Sequence, residues 1–542
     1  MSKRSLVAFV ATCALVATFS PFTAMAATPD VAESAYGELR AATLAGWTVD
    51  GSLFIRTRFG ASEQLHRVTQ PLGMREQLTF GRDAVAGAAA SPVDANRVIL
   101  LQAHAGERHP SLVLRQLDDG SSRRFGDGRQ RQDLPRWAHD GRQFAFTMEP
   151  REGGRREVYV ADTGSSAPPR RVAQRDEQDL AVLDWSYDDA KLLLRGHATP
   201  TDQRLYVLDL RSGALTQFEP AAAPPPARPR RQRGRFAAAP AAAPVQARTL
   251  IGDARFSRDG RGVYFVTTRD AQFAGLHYAD LFTHEHRLIA PQDHAAIDHM
   301  ALSRDGRHVA YTLNEAGYSR LVVHDLAQRV DLLLPPVPAG SLIRDIAFDP
   351  EGRRLALSVE SAVAARDVFV LQLEGTPQLT RWTRSEAQVP GIAAPVAPQP
   401  IRFATWDRVD TRFREIPAFL YLPRSPGPHP VLIDLHAGFE APYRPGWDPA
   451  TQFAVNELGY AVIAPDLRGT PGHGTDFIEL GTGRLRDDAL RDVGALLVWV
   501  GLRTDLDRNQ VRLRTDAAGA TLGRAALAMY GDRIKAFDTP LQ

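Results

Sequence analysis

The 542-residue sequence contains a single cysteine, Cys13, and this scarcity excludes several kinds of chemistry. Cys13 lies in an apolar N-terminal segment that we expect to be absent from the mature protein. A chain with no other thiol has no disulfide, no cysteine nucleophile and no cysteine-based metal site. The formal net charge of +2 is small, which argues against nucleic acid or a charged membrane surface as the main partner.

The N-terminus has the features of a secretory signal. Two basic residues precede an apolar stretch, residues 6–19, that is short for a membrane span, and Ala-Met-Ala at 24–26 is a small-x-small cleavage site. We therefore predict a signal peptide over residues 1–26, cleaved after Ala26, and a periplasmic or secreted protein. No transmembrane segment is expected after cleavage. An uncleaved anchor is the alternative.

Turn signals of the Asp-Gly type recur along the first two-thirds of the chain. They lie at positions 50, 94, 140, 188, 259, 305 and 351, about 45 residues apart except for one longer interval after 188. Asp and Gly accept the positive φ angles of two-residue hairpin turns, and an apolar strand follows most of these turns. The spacing predicts a β-propeller of seven four-stranded blades over residues 27–390, resembling TolB-type propeller repeats. A two-sheet sandwich is the alternative.

The longer interval contains a segment, residues 219–248, rich in proline, alanine and arginine. Such a segment has little apolar surface to bury, so we predict a disordered insertion in the propeller. An anion-binding arm for envelope lipid or an acidic partner is one interpretation, and a solvated loop is the preferred one. The clustered arginines are Arg228, Arg230, Arg231, Arg233 and Arg235.

The C-terminal part predicts a different architecture. A proline-rich stretch, residues 391–400, is expected to link the propeller to a second domain over residues 401–542. Apolar strands alternate there with helical patterns, which indicates a mostly parallel sheet. Strands are expected at 402–408, 416–422, 431–435, 461–464 and 511–513 and from 534, and helices at 484–500 and 519–529.

Four short motifs occur in order in this second region. They are Asn456-Glu-Leu-Gly459, Pro465-Asp-Leu-Arg-Gly-Thr-Pro-Gly-His-Gly474, Asp492-Val-Gly-Ala495 and Tyr530-Gly-Asp-Arg-Ile-Lys535. Together they resemble the catalytic domain of the prolyl oligopeptidase family of serine peptidases, which includes dipeptidyl and acylaminoacyl peptidases. The resemblance covers roughly residues 400–538. It implies an α/β-hydrolase domain with a propeller that caps the active site and limits entry to short peptides.

The nucleophile turn departs from that family. The family's G-x-S-x-G is matched by Thr515, Asp516, Ala517 and Gly519, so a methyl group stands where the serine hydroxyl would be. An acidic side chain beside this turn would also repel the oxyanion that acyl transfer develops. We therefore expect a vestigial nucleophile elbow at these residues.

The remaining catalytic parts are also expected to be lacking. The family's oxyanion loop, H-G-G-P, is matched only at His436 and Gly438. In this fold the acid and the histidine follow the nucleophile along the chain, and no histidine follows His473. The expected fold is a seven-bladed β-propeller followed by an incomplete α/β-hydrolase domain with no functional catalytic residue and an exposed sheet edge that another chain could complete.

The sequence offers few residues that could replace the missing catalytic serine, acid and histidine. Ser425 is the one serine after position 400 and is expected far from the elbow, as a turn residue. Thr515 and Thr521 flank the elbow without a neighbouring histidine in sequence. His284 and His286 would share one face of a strand, where a blade-surface pair is preferred over a metal site. We predict neither a metal nor another cofactor.

Three functional hypotheses follow from these patterns. The first is an exported pseudo-peptidase that binds short peptides or a protein partner without cleaving them. The second is a functional serine peptidase behind a degraded or truncated sequence. The third is a TolB-like binding propeller with a vestigial C-terminal domain. No nucleic-acid partner is expected under any of them.

Overall fold

The computed structural model describes residues 36–37, 39–199, 202–220, 249–269, 271–385, 393–436, 441–481, 487–516 and 519–538. The predicted signal peptide, nearly all of the arginine-rich insertion, Gly438 and Ala517 lie outside the described residues.

Each repeated Asp-Gly signal lies in the hairpin between the first two strands of a blade. In the fifth blade the hydroxyl of Ser257 donates to Asp259 Oδ1 at 2.6 Å, and the same oxygen accepts the N–H of Arg261 at 3.1 Å. Gly260 then adopts φ +68°, in the left-handed region that favours glycine. In the fourth blade Asp189 takes this position at φ +55°. The same local chemistry therefore sets the same hairpin in successive blades.

Seven antiparallel sheets form the β-propeller, so the predicted blade number is confirmed. In blade order the strands are β1 (Ala42–Trp47), β2 (Leu53–Arg58), β3 (Glu63–Val68), β4 (Glu76–Gln77); β5 (Val85–Ala90), β6 (Arg97–Gln102), β7 (Ser111–Gln116), β8 (Ser122–Phe125); β9 (Arg131–Gln132), β10 (Arg136–Trp137), β11 (Gln143–Glu149), β12 (Glu157–Asp162), β13 (Arg170–Ala173); β14 (Asp179–Trp185), β15 (Lys191–Thr199), β16 (Asp202–Asp209), β17 (Leu215–Glu219); β18 (Ile251–Phe256), β19 (Gly262–Thr267), β20 (Gly275–Asp280), β21 (His286–Ala290); β22 (Ala296–Leu302), β23 (His308–Glu315), β24 (Tyr318–Asp325), β25 (Val330–Asp331); β26 (Leu342–Phe348), β27 (Arg354–Ser361), β28 (Ala364–Gln372) and β29 (Gln378–Arg381).

The ring closes by packing between the first and last blades, and within the described residues no strand is shared between them. Trp47 donates its Nε1–H to the carbonyl of Ala347 at 2.9 Å, and its ring meets that of Trp382 at 5.9 Å between centroids. The N–H of Leu44 donates to Ser358 Oγ at 2.8 Å. These contacts join chain segments about 300 residues apart, so closure is a tertiary event that local turn chemistry does not specify.

The C-terminal region forms one six-stranded sheet in the order β30-β31-β33-β32-β34-β35. The four strands from β32 to β35 run parallel, and the hairpin of β30 and β31 adds an antiparallel edge. These strands are β30 (Gln399–Val409), β31 (Arg412–Tyr421), β32 (His429–Leu435), β33 (Ala461–Pro465), β34 (Leu506–Thr515) and β35 (Ile534–Asp538).

Among the described residues of this region there are four helices: α1 (Pro449–Asn456), α2 (Thr475–Glu479), α3 (Asp488–Gly501) and α4 (Ala520–Tyr530). The long helix α3 packs on β30 and β34 through the apolar face that its sequence periodicity predicted. Each leucine or valine buried in this way stabilises the fold by roughly 1.5–3 kcal/mol. The buried residues of that face include Ala489, Val493, Leu496, Leu497 and Val500.

Two predicted boundaries need correction. Glu219, predicted to begin the insertion, is the last residue of β17, is fully buried and pairs with Arg269 Nη1 at 2.6 Å. The predicted linker ends early, because β30 begins at Gln399. Within that linker the N–H of Val396 donates to Gln452 Oε1 at 2.8 Å, so the segment packs on the C-terminal sheet.

The prediction that His284 and His286 share a strand face is wrong. β21 begins at His286, whereas His284 lies in the preceding turn at φ +60°. His286 Nε2 instead lies 3.5 Å from Glu219 Oε2. No helix in the described part of the chain is long and apolar enough to cross a bilayer.

Candidate functional site

The turn after β34 is capped by its own acidic residue. Asp516 Oδ1 accepts the N–H of Gly519 at 2.7 Å, directly before α4 begins. A Cβ atom on Gly519 would lie 2.1 Å from the carbonyl oxygen of Leu435, so only glycine fits this close approach of helix and strand. Ala517 itself lies outside the described residues. A strand that ends at Thr515 and a helix that begins at Ala520 flank the predicted elbow, and a carboxylate already holds the first free N–H of that helix.

Strand register brings the predicted elbow and oxyanion-loop residues to one edge of the sheet. Leu435 pairs with Thr515, and Ile433 pairs with Ile463 on the other side. His436 and Asp516 therefore follow neighbouring parallel strands at their carboxyl ends, where open α/β sheets bind ligands. Of the vestigial site residues, the structure places His436, Thr515, Asp516 and Gly519 at this edge, and Gly438 is outside the described residues.

A buried carboxylate between two histidines also lies at this edge. Asp466 Oδ2 is 2.9 Å from His473 Nε2, and Asp466 Oδ1 is 3.6 Å from His436 Nε2 and accepts the N–H of Tyr443 at 2.7 Å. Burial raises the pKa of Asp466, but the two imidazoles and this N–H outweigh burial and hold the pKa below its usual value.

The same carboxylate affects His436 in the opposite direction. Burial disfavours a charged imidazole, yet the proximity of Asp466 outweighs burial and raises the pKa of His436. The sequence motifs contained both Asp466 and His473, but we assigned them no role. The position of Asp466, one residue beyond a buried strand, was the signal that could have revealed it.

A second charged cluster lies below the edge. Arg514 pairs with Asp434, and its Nη2 lies 3.1 Å from Asp448 Oδ2 and 2.8 Å from Thr451 Oγ1. Burial lowers the pKa of Arg514, but Asp434 outweighs burial and raises it. Two opposed carboxylates therefore keep the arginine charged, and the cluster joins β32, β34 and the start of α1.

Two polar side chains at the edge are left without hydrogen bonds inside the described part of the chain. They are the hydroxyl of Thr515, which is fully buried, and the ring nitrogens of His436, whose nearest ionic neighbour is Asp466 at 3.6 Å. A buried polar group without a hydrogen bond costs about 1–3 kcal/mol, so these two side chains are places where a ligand, water or another part of the chain would add stability.

Two of the motif residues have a structural role away from the edge. Arg468 and Asp492 form a two-bond ion pair, with Nε to Oδ2 at 2.8 Å and Nη2 to Oδ1 at 2.6 Å. Asp407 accepts from the same guanidinium at 2.9 Å, and Thr405 donates to Asp492 at 2.5 Å. Both charged residues are almost completely buried. This network fastens β30 to α3, so it accounts for these motif residues through folding.

A cavity of about 580 Å³ lies between the propeller and the C-terminal sheet. Its propeller wall comes from turns of the fifth and sixth blades, and its other wall comes from β30, β31 and the segment that carries Asp466 and His473. Arg402 and Glu415 also line it, and both are exposed. The aromatic part of the lining consists of Phe273, Phe419 and Phe477.

One arginine holds the two regions together beside this cavity. Arg444 donates to the carbonyl of Gly317 at 2.7 Å and to Ser319 Oγ at 2.8 Å, and it pairs with Asp298. Tyr318 packs edge-on against Phe419, 5.8 Å between ring centroids. The cavity walls are therefore fixed relative to one another by charged and aromatic contacts.

The predicted substitutes for a nucleophile lie away from the elbow. Ser425 is exposed in the loop before β32, at the amino end of the strand whose carboxyl end carries His436. Seven residues of β32 separate the two edges, a distance of roughly 20 Å. Thr521 is exposed on α4, where its hydroxyl is 3.5 Å from Arg524. Within the described ranges no group of three His, Cys, Asp or Glu residues is arranged to hold a metal ion.

Comparisons with known proteins support the architecture. No family model matches the sequence, and no curated protein matches it. Among solved structures, a prolyl endopeptidase from a study of inter-domain dynamics aligns with a TM-score of 0.75 at 13% identity, over 94% of this chain and 74% of that chain. Prolyl oligopeptidase B from Galerina marginata, bound to a 35-residue substrate, aligns with a TM-score of 0.71 at 14% identity, over 92% of this chain and 71% of its own.

The class that these observations define is a propeller-containing fold of the prolyl oligopeptidase type. At this level of identity, the likeness concerns the fold. Activity has to be inferred from the site itself, because one fold hosts different functions.

Proposed function

We propose that this protein is an exported, catalytically inactive peptidase-like protein that binds peptides, or a peptide segment of a protein partner, in the cavity between the propeller and the C-terminal sheet. The observation that carries the proposal is the elbow. Its nucleophile position is Ala517, and its helix N–H at Gly519 is occupied by the carboxylate of Asp516. The elbow therefore offers no serine hydroxyl as a nucleophile, which covalent acyl transfer requires.

The cavity supports the binding part of the proposal. Aromatic side chains on both walls provide apolar surface, while Asn314, Glu415 and Arg402 provide hydrogen-bonding and charged groups. Such a mixture is typical of sites that hold the backbone and side chains of an extended peptide. Its volume is that of a ligand site of ordinary size. The two structural neighbours carry prolyl peptidase names, which suggests proline-containing peptides as the first probes.

The test combines binding with a search for products. A blocked proline-containing tetrapeptide, and the same peptide with alanine in place of proline, would be titrated calorimetrically into the mature protein. The mixtures would then be analysed by mass spectrometry after long incubation. We expect binding without cleavage. Arg402→Ala should weaken binding, because Arg402 lines the cavity, whereas Arg412→Ala should not, because it lies on the same hairpin outside the cavity.

Two outcomes would contradict the proposal. Serine-dependent cleavage by the pure protein would favour a functional peptidase. Equal binding to the wild type and to Arg402→Ala, or no binding of either peptide, would remove the cavity as a peptide site. Binding that survives deletion of residues 400–542 in a folded propeller would instead favour a binding propeller with a vestigial C-terminal region.

Export is tested separately. We expect mass spectrometry of the protein from its natural host to find a mature N-terminus at Ala27 in the periplasmic or secreted fraction. A cytosolic protein that retains Met1 would contradict this part of the proposal.

A further inference from the structure

The propeller has a second cavity, at the end of its channel that faces away from the C-terminal sheet. The cavity has a volume of about 320 Å³ and is lined by residues of all seven blades. Asp298, near the start of β22, contacts Arg444 of the C-terminal region, whereas Arg304, just beyond the end of that strand, lines this opposite mouth. We call this cavity the distal mouth.

The Asp-Gly hairpin turns supply much of the lining of the distal mouth. In each blade the turn that follows the innermost strand places one side chain at the rim, and this side chain differs from blade to blade. From the first to the seventh blade these residues are Val49, Pro92, His139, Tyr187, Arg258, Arg304 and Pro350. Six of the seven line the cavity directly, and Arg258 contacts the ring of the lining residue Tyr187. The Asp-Gly residues that build the turn recur in most blades, whereas the residue at the rim differs between blades. The seven rim residues therefore surround one site, the distal mouth.

One half of this rim is polar and held in place. The ring of His139 stacks on that of Tyr187 at 4.6 Å between centroids, and the guanidinium of Arg258 lies 4.6 Å from the centroid of Tyr187. Asp189 fixes His139 through both its Nδ1 at 3.0 Å and its backbone N–H at 2.7 Å. Arg304 follows in the next blade. Four neighbouring blades therefore form an ordered arc that ends in two arginines.

These two arginines lack an anionic partner. Within the described part of the chain, neither Arg258 nor Arg304 forms an ion pair with a carboxylate, and Arg304 makes no hydrogen bond. Two carboxylates also line the cavity, but each has another partner: Asp184 Oδ2 accepts the N–H of Phe256 at 2.9 Å, and Asp349 Oδ2 pairs with Arg354 Nε at 2.8 Å. The polar arc therefore presents two guanidinium groups that no carboxylate of the described residues pairs with.

The other half of the rim is apolar. Pro350, Val49 and Pro92 come from the seventh, first and second blades, and Trp47 and Phe348 lie beside them. Val49 leaves 41% of its surface exposed to the cavity and solvent. The distal mouth thus places an apolar wall across from two guanidinium groups, and arginine recognises carboxylate and phosphate through its fork of N–H donors.

We propose that the distal mouth is a binding site for a small molecule that carries an oxyanion, either carboxylate or phosphate, on an apolar body. The oxyanion accepts hydrogen bonds from Arg258 and Arg304, and the apolar body packs on the wall formed by Pro350, Val49 and Pro92. This site lies apart from the cavity of the proposed function and does not depend on peptide binding.

Three aromatic probes test the proposal and distinguish the two oxyanions. Phenyl phosphate, benzoate and the neutral benzyl alcohol would each be titrated calorimetrically into the full mature protein at low salt and at physiological salt. We expect at least one of the two anions to bind and benzyl alcohol not to bind. Binding of phenyl phosphate alone would identify a phosphate site, and binding of benzoate identifies a carboxylate site. Because the contact is ionic, higher salt should weaken binding.

Variants locate the site. The double variant Arg258→Gln/Arg304→Gln should bind the anionic probe at least about tenfold more weakly, since it loses both charge-assisted contacts. Val49→Trp fills the cavity and should also weaken binding with both arginines intact. The matched control is Arg142→Gln, which removes an 85% exposed arginine from the equivalent turn of the third blade and should leave binding unchanged. Failure of both anions to bind, equal binding of benzyl alcohol, or unchanged binding in either the double variant or Val49→Trp would overturn the proposal.

Discussion

The C-terminal sheet contains two groups of buried polar residues that differ in how completely they are paired. Between β30 and α3, Arg468 and Asp492 are joined by two hydrogen bonds, and each has a further partner. At the carboxyl edge, Thr515 and the ring of His436 make no hydrogen bond with the described residues. The contrast teaches that the motifs of this chain include residues that hold the fold together, whereas the polar groups at the carboxyl edge are paired less fully among the described residues.

The two groups differ in how much stability the protein loses when one of their residues is replaced. A buried ion pair that loses one partner leaves an uncompensated charge, so the scaffold tolerates little change there. An alanine in place of serine removes only a hydroxyl, whereas the close approach of helix and strand at Gly519 leaves no room for a Cβ atom. The motif residues Arg468 and Asp492 are therefore explained by their role in the fold, whatever the activity of the protein.

The largest expected effect on stability comes from disrupting the buried ion pair between Arg468 and Asp492. Asp492→Asn keeps the shape of the side chain but leaves Arg468 buried with only Asp407 as an anionic partner. We expect a loss of about 3 kcal/mol in the free energy of unfolding, measured by urea denaturation. Asp532→Asn, at an exposed position, serves as the control and should change stability by less than about 0.5 kcal/mol. Equal effects of the two substitutions would show that the network is not structural.

The propeller could be predicted from the sequence more fully than the C-terminal sheet. The seven blades were predicted because a local signal, the Asp-Gly turn, repeats with each blade. The helix α3 was predicted from its periodicity, although it begins at Asp488, later than expected. The pairing of Arg468 with Asp492 was not predicted, because the side chains meet only through packing of elements that are distant in sequence.

The candidate site was readable only in part. Ala517 is visible directly in the sequence, and the strand and helix that flank it were predicted because both have strong local patterns. The capping role of Asp516 was not predicted, because a turn sequence does not reveal which N–H the carboxylate accepts. The order of the strands, which places Asp466 beside His436, also depends on tertiary contacts.

Two glycine substitutions test whether helix α4 and strand β32 are in close contact at Gly519. Gly519→Ala would place a Cβ atom 2.1 Å from the carbonyl of Leu435 and should destabilise the protein by about 2 kcal/mol. Gly501→Ala, at the end of α3, meets only Arg508 Cδ at 3.9 Å and should be neutral or stabilise by up to about 1 kcal/mol. Thermal denaturation of both variants would test this, and a neutral Gly519→Ala would mean that helix and strand are not in close contact.

A smaller effect is expected from removing the cap. Asp516→Ala frees the N–H of Gly519 and should lower the free energy of unfolding by about 1 kcal/mol, the usual effect of losing a side-chain cap. Hydrogen exchange at Gly519 should become faster in this variant. Unchanged exchange at Gly519 would show that Asp516 does not hold this N–H.

The smallest effect concerns pH. The pKa of His436 is raised in the folded protein, because Asp466 outweighs the opposing effect of burial. Its contribution to stability is therefore fully present below the ordinary histidine value of 6.5 and is lost as the pH rises through the higher folded value. The difference in unfolding free energy between wild type and His436→Gln should be largest in mild acid and shrink above neutrality. A difference that is constant with pH would contradict the contact between His436 and Asp466.

The most direct test of the central claim is reaction of the purified mature protein with a fluorophosphonate probe for serine nucleophiles, with any labelled residue located by mass spectrometry. We expect no labelling of the wild type, Ser425 included. We also expect none for Ala517→Ser, because a serine without a neighbouring base is not activated. Specific labelling of one serine in the wild type would contradict the account and restore the interpretation as an active peptidase.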